Sequence, residues 1–490
     1  MQRINFNLLI RCACGALLLC LVVAASADGN TLDSDPENDV LGPPCAKDVA
    51  YREFEKIQAD AYLSDGISFR IFLDKKLIDQ IEEHTSRNLR DRSGQHNSAN
   101  RNTIDIPPGF DRQIQSEMAN LKIPTCYENP LYYFMIEQYA RDIETARREL
   151  GLPLPGGAAR FGSIASNDIN AYTYPSSDGR NGIIAINVQL LRFISQMTQL
   201  AVSAVDPVWH QDKPDHAAML AQGLMAISYN AEAQDNFIET ILSLLAGRPG
   251  PKIRPLDAAS ETLAVFFTNS MERFVFGHEY GHLIKGHVSP QRPISSGATG
   301  YSEHQVFART WPQEFEADEV GLQLLTHILA RSSGQNPKYS QYYLYSLEAP
   351  LFFFDSMEVL DRARFMERYA VMPPEPSDSE KSLVRDCADA MLRSVQKPGC
   401  ALVNKCAGGT ASESEVDWCE HEMLTTHPPA WLRRERLQHL IDNTFMHIPN
   451  RPEVKAAAHK GDEMRFSIGL LGQATSAQML KRIIQETNGN

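Results

Sequence analysis

The sequence predicts an α+β fold that is predominantly α-helical, with a small β-sheet or hairpin. Three observations carry that expectation. Apolar residues recur at helical spacing over long stretches, including 130–150, the region from Ala258 onward and 311–329. In INAYTYPSSDGRNGIIAIN (169–187), two β-rich runs flank a cluster of turn residues from Pro175 to Gly182, the pattern of a hairpin. The composition, 43% hydrophobic and 22% charged over 490 residues, is that of a globular chain forming one large domain or two to three smaller ones.

Taken in chain order, residues 1–27 have the layout of a secretory signal: Arg3 and Arg11 in a mostly polar start, an apolar run from Cys12 to Ala24, and Ala25-Ser26-Ala27 before Asp28. A spanning helix would need about 20 apolar residues, more than this run supplies. The mature chain is expected to be exported, with no transmembrane segment, to a bacterial periplasm or, as the alternative, to be secreted. The sequence holds no Asn-x-Ser/Thr, which favours the periplasm. Residues 28–48 are acidic with Pro and Gly and read as a leader, followed by a mixed, helical region that completes an amino-terminal segment to 150. Within it, 87–103 is a polar loop.

A helix over 130–150 stops at Gly151, the hairpin follows, and its second strand leads into a helix from about Val188. One or two amphipathic helices fill 215–246 and end at GRPGPKIRP. A helix from about Ala258 runs through FVFGHEYGHLIKGH (274–287). After a loop at 289–300, WPQEFEADEVGLQLLTHIL restores helical spacing. The aromatic-rich YYLYSLEAPLFFFDSMEVLDRARFM reads as a buried core helix rather than a cofactor box. Residues 372–380 form a linker, 387–419 a cysteine-bearing insertion, and 451–490 a polar tail beyond a domain spanning 151–450.

Charge and cysteines narrow the classes further. A formal net charge of −14 argues against nucleic acid, because an acidic surface repels a phosphate backbone. Nine cysteines fall to six once 1–27 is set aside: Cys45, Cys126, Cys387, Cys400, Cys406 and Cys419. None forms a CxxC pair, so disulfides in an oxidising compartment are expected in place of a structural zinc site. Local bridges within 387–419 and a Cys45–Cys126 bridge are the expected pattern.

Two motifs carry chemistry. In HEYGH, His278 and His282 are four apart, so on a helix both imidazoles share one face and can meet one ion. Glu279 follows the first histidine, placed to act on a water as general base. Gly286 and His287 fall one position out of a HExxHxxGxxH pattern, so His287 reads as a packing or hydrogen-bonding residue rather than a third ligand. Downstream, EFEADEVG offers Glu314 as a carboxylate ligand, with Asp318 on the same helical face to accept the outer N–H of a ligand histidine. Together the motifs point to one catalytic Zn2+ per chain.

HEYGHLIKGH followed by EFEAD resembles the HtpX and CAAX-prenyl-protease family of gluzincin metallopeptidases, whose pattern is HExxHxxxxH and then ExxAD. NAYTYPSSDGRNGIIAINVQLL is similar to the family's Asn-Ala strand and hairpin, and TTHPPAWLRRERL to its Ser/Thr-His-Pro segment with trailing arginines. The resemblance covers roughly 155–445 in four blocks, and leaves 28–150 and 387–419 unmatched. Members of the two named types carry transmembrane helices, and this chain more nearly resembles the soluble, exported relatives that clear misassembled envelope proteins. It implies a gluzincin-type zincin with an active-site helix, a glutamate helix and a small sheet.

The expected activity is therefore zinc-dependent endopeptidase cleavage of exported or envelope proteins. His427 is a candidate oxyanion donor or a turn histidine, with Arg433 behind it as a donor. The strand at Asn170, Ala171 and Tyr172 either pairs with an extended protein or peptide substrate or is a structural edge. Two alternatives stand beside this reading. One is a non-catalytic zinc-binding chaperone or interaction protein, for which an intact Glu279 has no use. The other is a zinc hydrolase of a non-protein substrate, whose metal site would look the same.

Overall fold

A computed structural model describes residues 48–64, 311–335 and 430–445, most of 122–205, 231–288 and 343–371, and a few positions at 428 and 475–482. The signal-like start, the leader before Asp48, the polar loop 87–103, the insertion 387–419, His427 and all nine cysteines, with the bridges expected of them, lie outside the described residues. The described chain is mostly helical with one three-stranded sheet, as the sequence predicts. No described helix is long and apolar enough to cross a membrane. Two compact units divide the chain: residues up to 195, 257–308 and 319–343 in the first, and 196–256, 309–318 and 344–490 in the second.

The first unit is built on the sheet β1 (Ala158–Ile164), β2 (Ala171–Pro175) and β3 (Asn181–Asn187), in the order β1-β3-β2. The β2–β3 hairpin is antiparallel, with Thr173 opposite Ile184. β1 runs parallel to β3, with Phe161 opposite Ile184. β3 is the central strand, and Ile183, Ile184, Ala185 and Ile186 are all buried, as a strand covered on both faces requires.

Helix α1 (Val49–Ser64) covers one face, packing Ala50 and Phe54 on Ile164, Ile183 and Ala185. Asp48 starts it by accepting from the N–H groups of Ala50 (3.0 Å) and Tyr51 (3.3 Å), and pairs with Arg160 on β1 at 3.0 Å. That guanidinium holds the Asp48 carboxyl below its usual range. Glu53 accepts from the Ser176 hydroxyl (3.0 Å) and the Ser177 N–H (3.0 Å) at the hairpin turn. The amino-terminal region, to which the sequence assigns no role, is thus the sheet's second cover.

On the opposite face lie α2 (Pro130–Glu149) and α5 (Ala258–Ile284). α2 begins on a proline, whose missing N–H costs nothing in a first turn, and closes on Gly151 at φ 66°. α5 is buried on every side from Thr262 to Ile284, so it has no solvent stripe. Its last turn presses on the sheet at Gly182, where a Cβ would come 2.2 Å from a Leu283 methyl. Arg273 of α5 grips Asp142 of α2 at 2.9 Å.

The residues of α3 (Val188–Val205) and α6 (Trp311–Gln335) are shared out between the two units. In the first unit, α6 is tied to α2 by Arg331–Glu149 (3.2 Å) and His327–Glu149 (2.7 Å). The second unit also holds α4 (Ala231–Leu245), α7 (Ala349–Val371) and α8 (Ala430–Phe445). α7 buries Leu351, Phe352, Phe354 and Leu360, in keeping with the core helix the sequence predicts. α8 clamps it through Arg434–Asp355 at 2.6 Å and Arg433 stacked 4.6 Å above the Phe354 ring.

Candidate metal centre

His278 and His282 sit one turn apart near the end of α5, and their Nε2 atoms are 3.1 Å from each other. Two imidazoles aimed at one point in a buried setting (4% and 0% exposed) have one shared proton at most, or none and a cation in its place. Donor atoms of His278, Glu279 and His282 all lie within 4.8 Å of one another, the one such group of three among the described residues.

The turn that ends α5 reaches back to this pair. Gly286 adopts φ 67°, its N–H donates to Leu283 O at 3.2 Å, and His287 N–H donates to His282 O at 2.9 Å. That double closure is a Schellman cap, which needs a left-handed residue where Gly286 stands. It brings Nδ1 of His287 to 3.0 Å from Nδ1 of His282. An ion at Nε2 of His282 would leave the proton on its Nδ1, which would then donate to His287. His287 is therefore the hydrogen-bonding residue the sequence suggests.

Glu279 is 2% exposed, with Oε1 3.9 Å from His278 Nε2. Its other oxygen, Oε2, accepts a short hydrogen bond from the Thr173 hydroxyl, which also lies 3.1 Å from the main-chain oxygen of Glu279. Thr173 reaches α5 because β2 alternates: Ala171 and Thr173 are buried and fall on one face, while Tyr172 and Tyr174 pack on the α1 side.

Glycines govern how closely α6 approaches. A Cβ on Gly321 would lie 2.9 Å from His278 N and 3.2 Å from Phe274 O, and one on Gly277 3.3 Å from the Gly321 Cα. Glu314 and Asp318 precede Gly321 by seven and three residues, on the same face of α6 by helical spacing. In the second unit both carboxylates are buried (0% and 1%). Arg433 of α8 donates to both Asp318 oxygens, at 2.8 and 2.6 Å, and stands 3.9 Å from Glu314 Oε2. Arg433, weighed from sequence as an oxyanion donor, thus holds Asp318 in a bidentate grip.

At the strand, Asn170 Oδ1 accepts from Ala171 N–H at 2.9 Å and Asn170 O from Asn187 N–H at 3.2 Å. The Tyr172 hydroxyl donates to Asp168. Sequence reasoning picked Asn170, Ala171 and Tyr172 and passed over Thr173, whose signal was a hydroxyl at an inward position of an alternating strand.

Two imidazoles and carboxylate oxygens form a donor set suited to zinc. The 3.1 Å between nitrogens is close to the ~3.3 Å that two Zn–N bonds of about 2.05 Å at a tetrahedral angle would give. His278, Glu279 and His282 are thus residues that could hold such an ion. Comparison of the chain with known protein families, with curated proteins and with solved structures finds no match.

Proposed function

We propose that this protein is a zinc-dependent endopeptidase of the gluzincin type, acting on exported or envelope proteins, with His278, His282 and Glu314 as ligands and Glu279 as general base. The observation that carries the reading is the buried pair of facing Nε2 atoms, 3.1 Å apart, with the Glu279 carboxylate beside them. A binding module would have no use for a carboxylate so placed. The resemblance of HEYGHLIKGH, EFEAD, the NAY strand and the Thr-His-Pro segment to one peptidase family supports the same conclusion.

Zinc at such a site lowers the pKa of water to about 7 and polarises a carbonyl. Glu279 takes a proton from the attacking water on Oε1, and the water oxygen bonds to the scissile carbonyl carbon. When the C–N bond breaks, Glu279 returns that proton to the leaving amine. His287 holds His282 in the tautomer that presents Nε2 to the ion. Asp318, charge-balanced by Arg433, keeps the start of α6 in place around Glu314. His427 is the candidate donor to the oxyanion.

Zinc content and casein cleavage, measured on the mature protein beside Glu279→Gln and Glu314→Ala, test the reading. Wild type is expected to bind one zinc and cleave. Glu279→Gln should bind without cleaving, and Glu314→Ala should lose the metal. A chain that takes up no zinc would end the proposal.

A further inference from the structure

Thr173 contacts Glu279 twice from a strand 106 residues away, and neither HEYGH nor EFEAD accounts for it. We infer that Thr173 is the positioning residue of the general base: its hydroxyl fixes the Glu279 carboxylate through Oε2 so that Oε1 faces the histidine pair. This rests on the peptidase reading and adds the residue that aims its base.

A glutamate carboxylate turns about a soft last torsion, so burial alone does not choose which oxygen faces the site. Here Oε2 accepts the Thr173 hydroxyl, while Oε1 lies 3.9 Å from His278 Nε2, too far for a hydrogen bond. The donor itself is held firmly. Thr173 is β-branched, hence stiff at χ1, is 2% exposed, and sits opposite Ile184 in the ladder. A hydrogen bond from a neutral hydroxyl to a carboxylate is roughly twice as strong as a neutral pair. The hydroxyl also has a second acceptor, Glu279 O at 3.1 Å. Both acceptors belong to Glu279, so one hydroxyl ties the strand to the carboxylate and to the main chain of the same residue.

The test compares wild type, Thr173→Val and Thr173→Ser in zinc-loaded form, reading zinc per chain and kcat and KM on fluorescein-labelled casein. Thr173→Val should lower kcat on the order of tenfold to a hundredfold. Zinc content and KM should stay within about twofold, and Thr173→Ser should recover most of the rate. A merely structural threonine would lower zinc content with the rate, and serine would not restore it. Unchanged kcat in Thr173→Val, or no recovery in Thr173→Ser, overturns the inference.

Melting temperatures of the zinc-free protein supply a second readout, from a cycle of Thr173→Val, Glu279→Ala and the double variant. The shifts should be non-additive, the double variant melting well above the sum of the two losses. If wild type leaves casein intact, the peptidase reading falls by itself. The Thr173–Glu279 anchor then stands on the cycle, and additive shifts end it.

Discussion

Gly321 and His278 meet main chain to main chain: a methyl group on Gly321 would lie 2.9 Å from the His278 nitrogen. Backbone is what blocks that methyl, so no side chain can swing aside. Gly321→Ala should destabilise the protein by about 1–3 kcal/mol and, on the zinc reading, weaken metal binding, because α6 must move off α5 beside His278. Gly334→Ala, on the same helix with nothing within 4 Å of its Cβ, should be neutral or gain up to about 1 kcal/mol. Thermal melts and zinc titration against a chelator check both.

On the zinc reading, His287→Ala should lower metal affinity about 10- to 100-fold without abolishing it, since His282 keeps Nε2 but loses the partner of Nδ1. Gly286→Ala should act in the same direction by a different route. A Cβ is strained at φ 67°, by roughly 1 kcal/mol, and the cap that carries His287 loosens. Competition with a colour-changing chelator measures both.

Glu272 on α5 is buried, and desolvation pushes its carboxyl up to about 8, against the opposing effects of the Tyr139 hydroxyl and Arg273. Its folded pKa stands above the ordinary 4.5, so the folded state holds the proton longer than the unfolded chain does. The stability tied to that proton is complete below pH 4.5 and is lost as pH rises toward 8. Glu272→Gln should therefore melt closer to wild type at pH 5 than at pH 8, where it should be the more stable by an amount on the order of a few kcal/mol. Melting curves across that range decide it, and a constant gap would count against the buried acid.

Arg433→Leu removes both hydrogen bonds to a carboxylate that is 1% exposed. A loss of about 3–5 kcal/mol is expected. Arg433→Lys should recover part of it, because an ammonium cannot reproduce the planar fork. Urea unfolding of the two variants gives the comparison.

What could be read in the sequence was what is local. His278 and His282 fall on one face by helical spacing, and Gly286 closes the helix by a rule of three or four residues. The β2–β3 hairpin announces itself through its turn. β1 does not: AARFGSI goes from exposed to buried without alternating, contains Gly162, and pairs in parallel, which no turn signals. Thr173 against Glu279 and Arg433 against Asp318 span 106 and 115 residues, and no short window holds both partners. The role of α1 was hidden for the same reason, since Glu128, Gln58 and Ser163 meet only once the sheet has formed.

The split between near and distant partners sets an order of assembly. His278, His282 and His287 lie within residues 278–287 and are brought together by one helix end and its cap, which form in about a microsecond. Glu279 meets Thr173 only after a strand far earlier in the chain has docked, a slower, non-local event. An emerging chain thus pairs its two imidazoles before the Glu279 carboxylate is aimed. On the peptidase reading, cutting power would arrive last in folding, when the protein's own unfolded segments are no longer exposed to it.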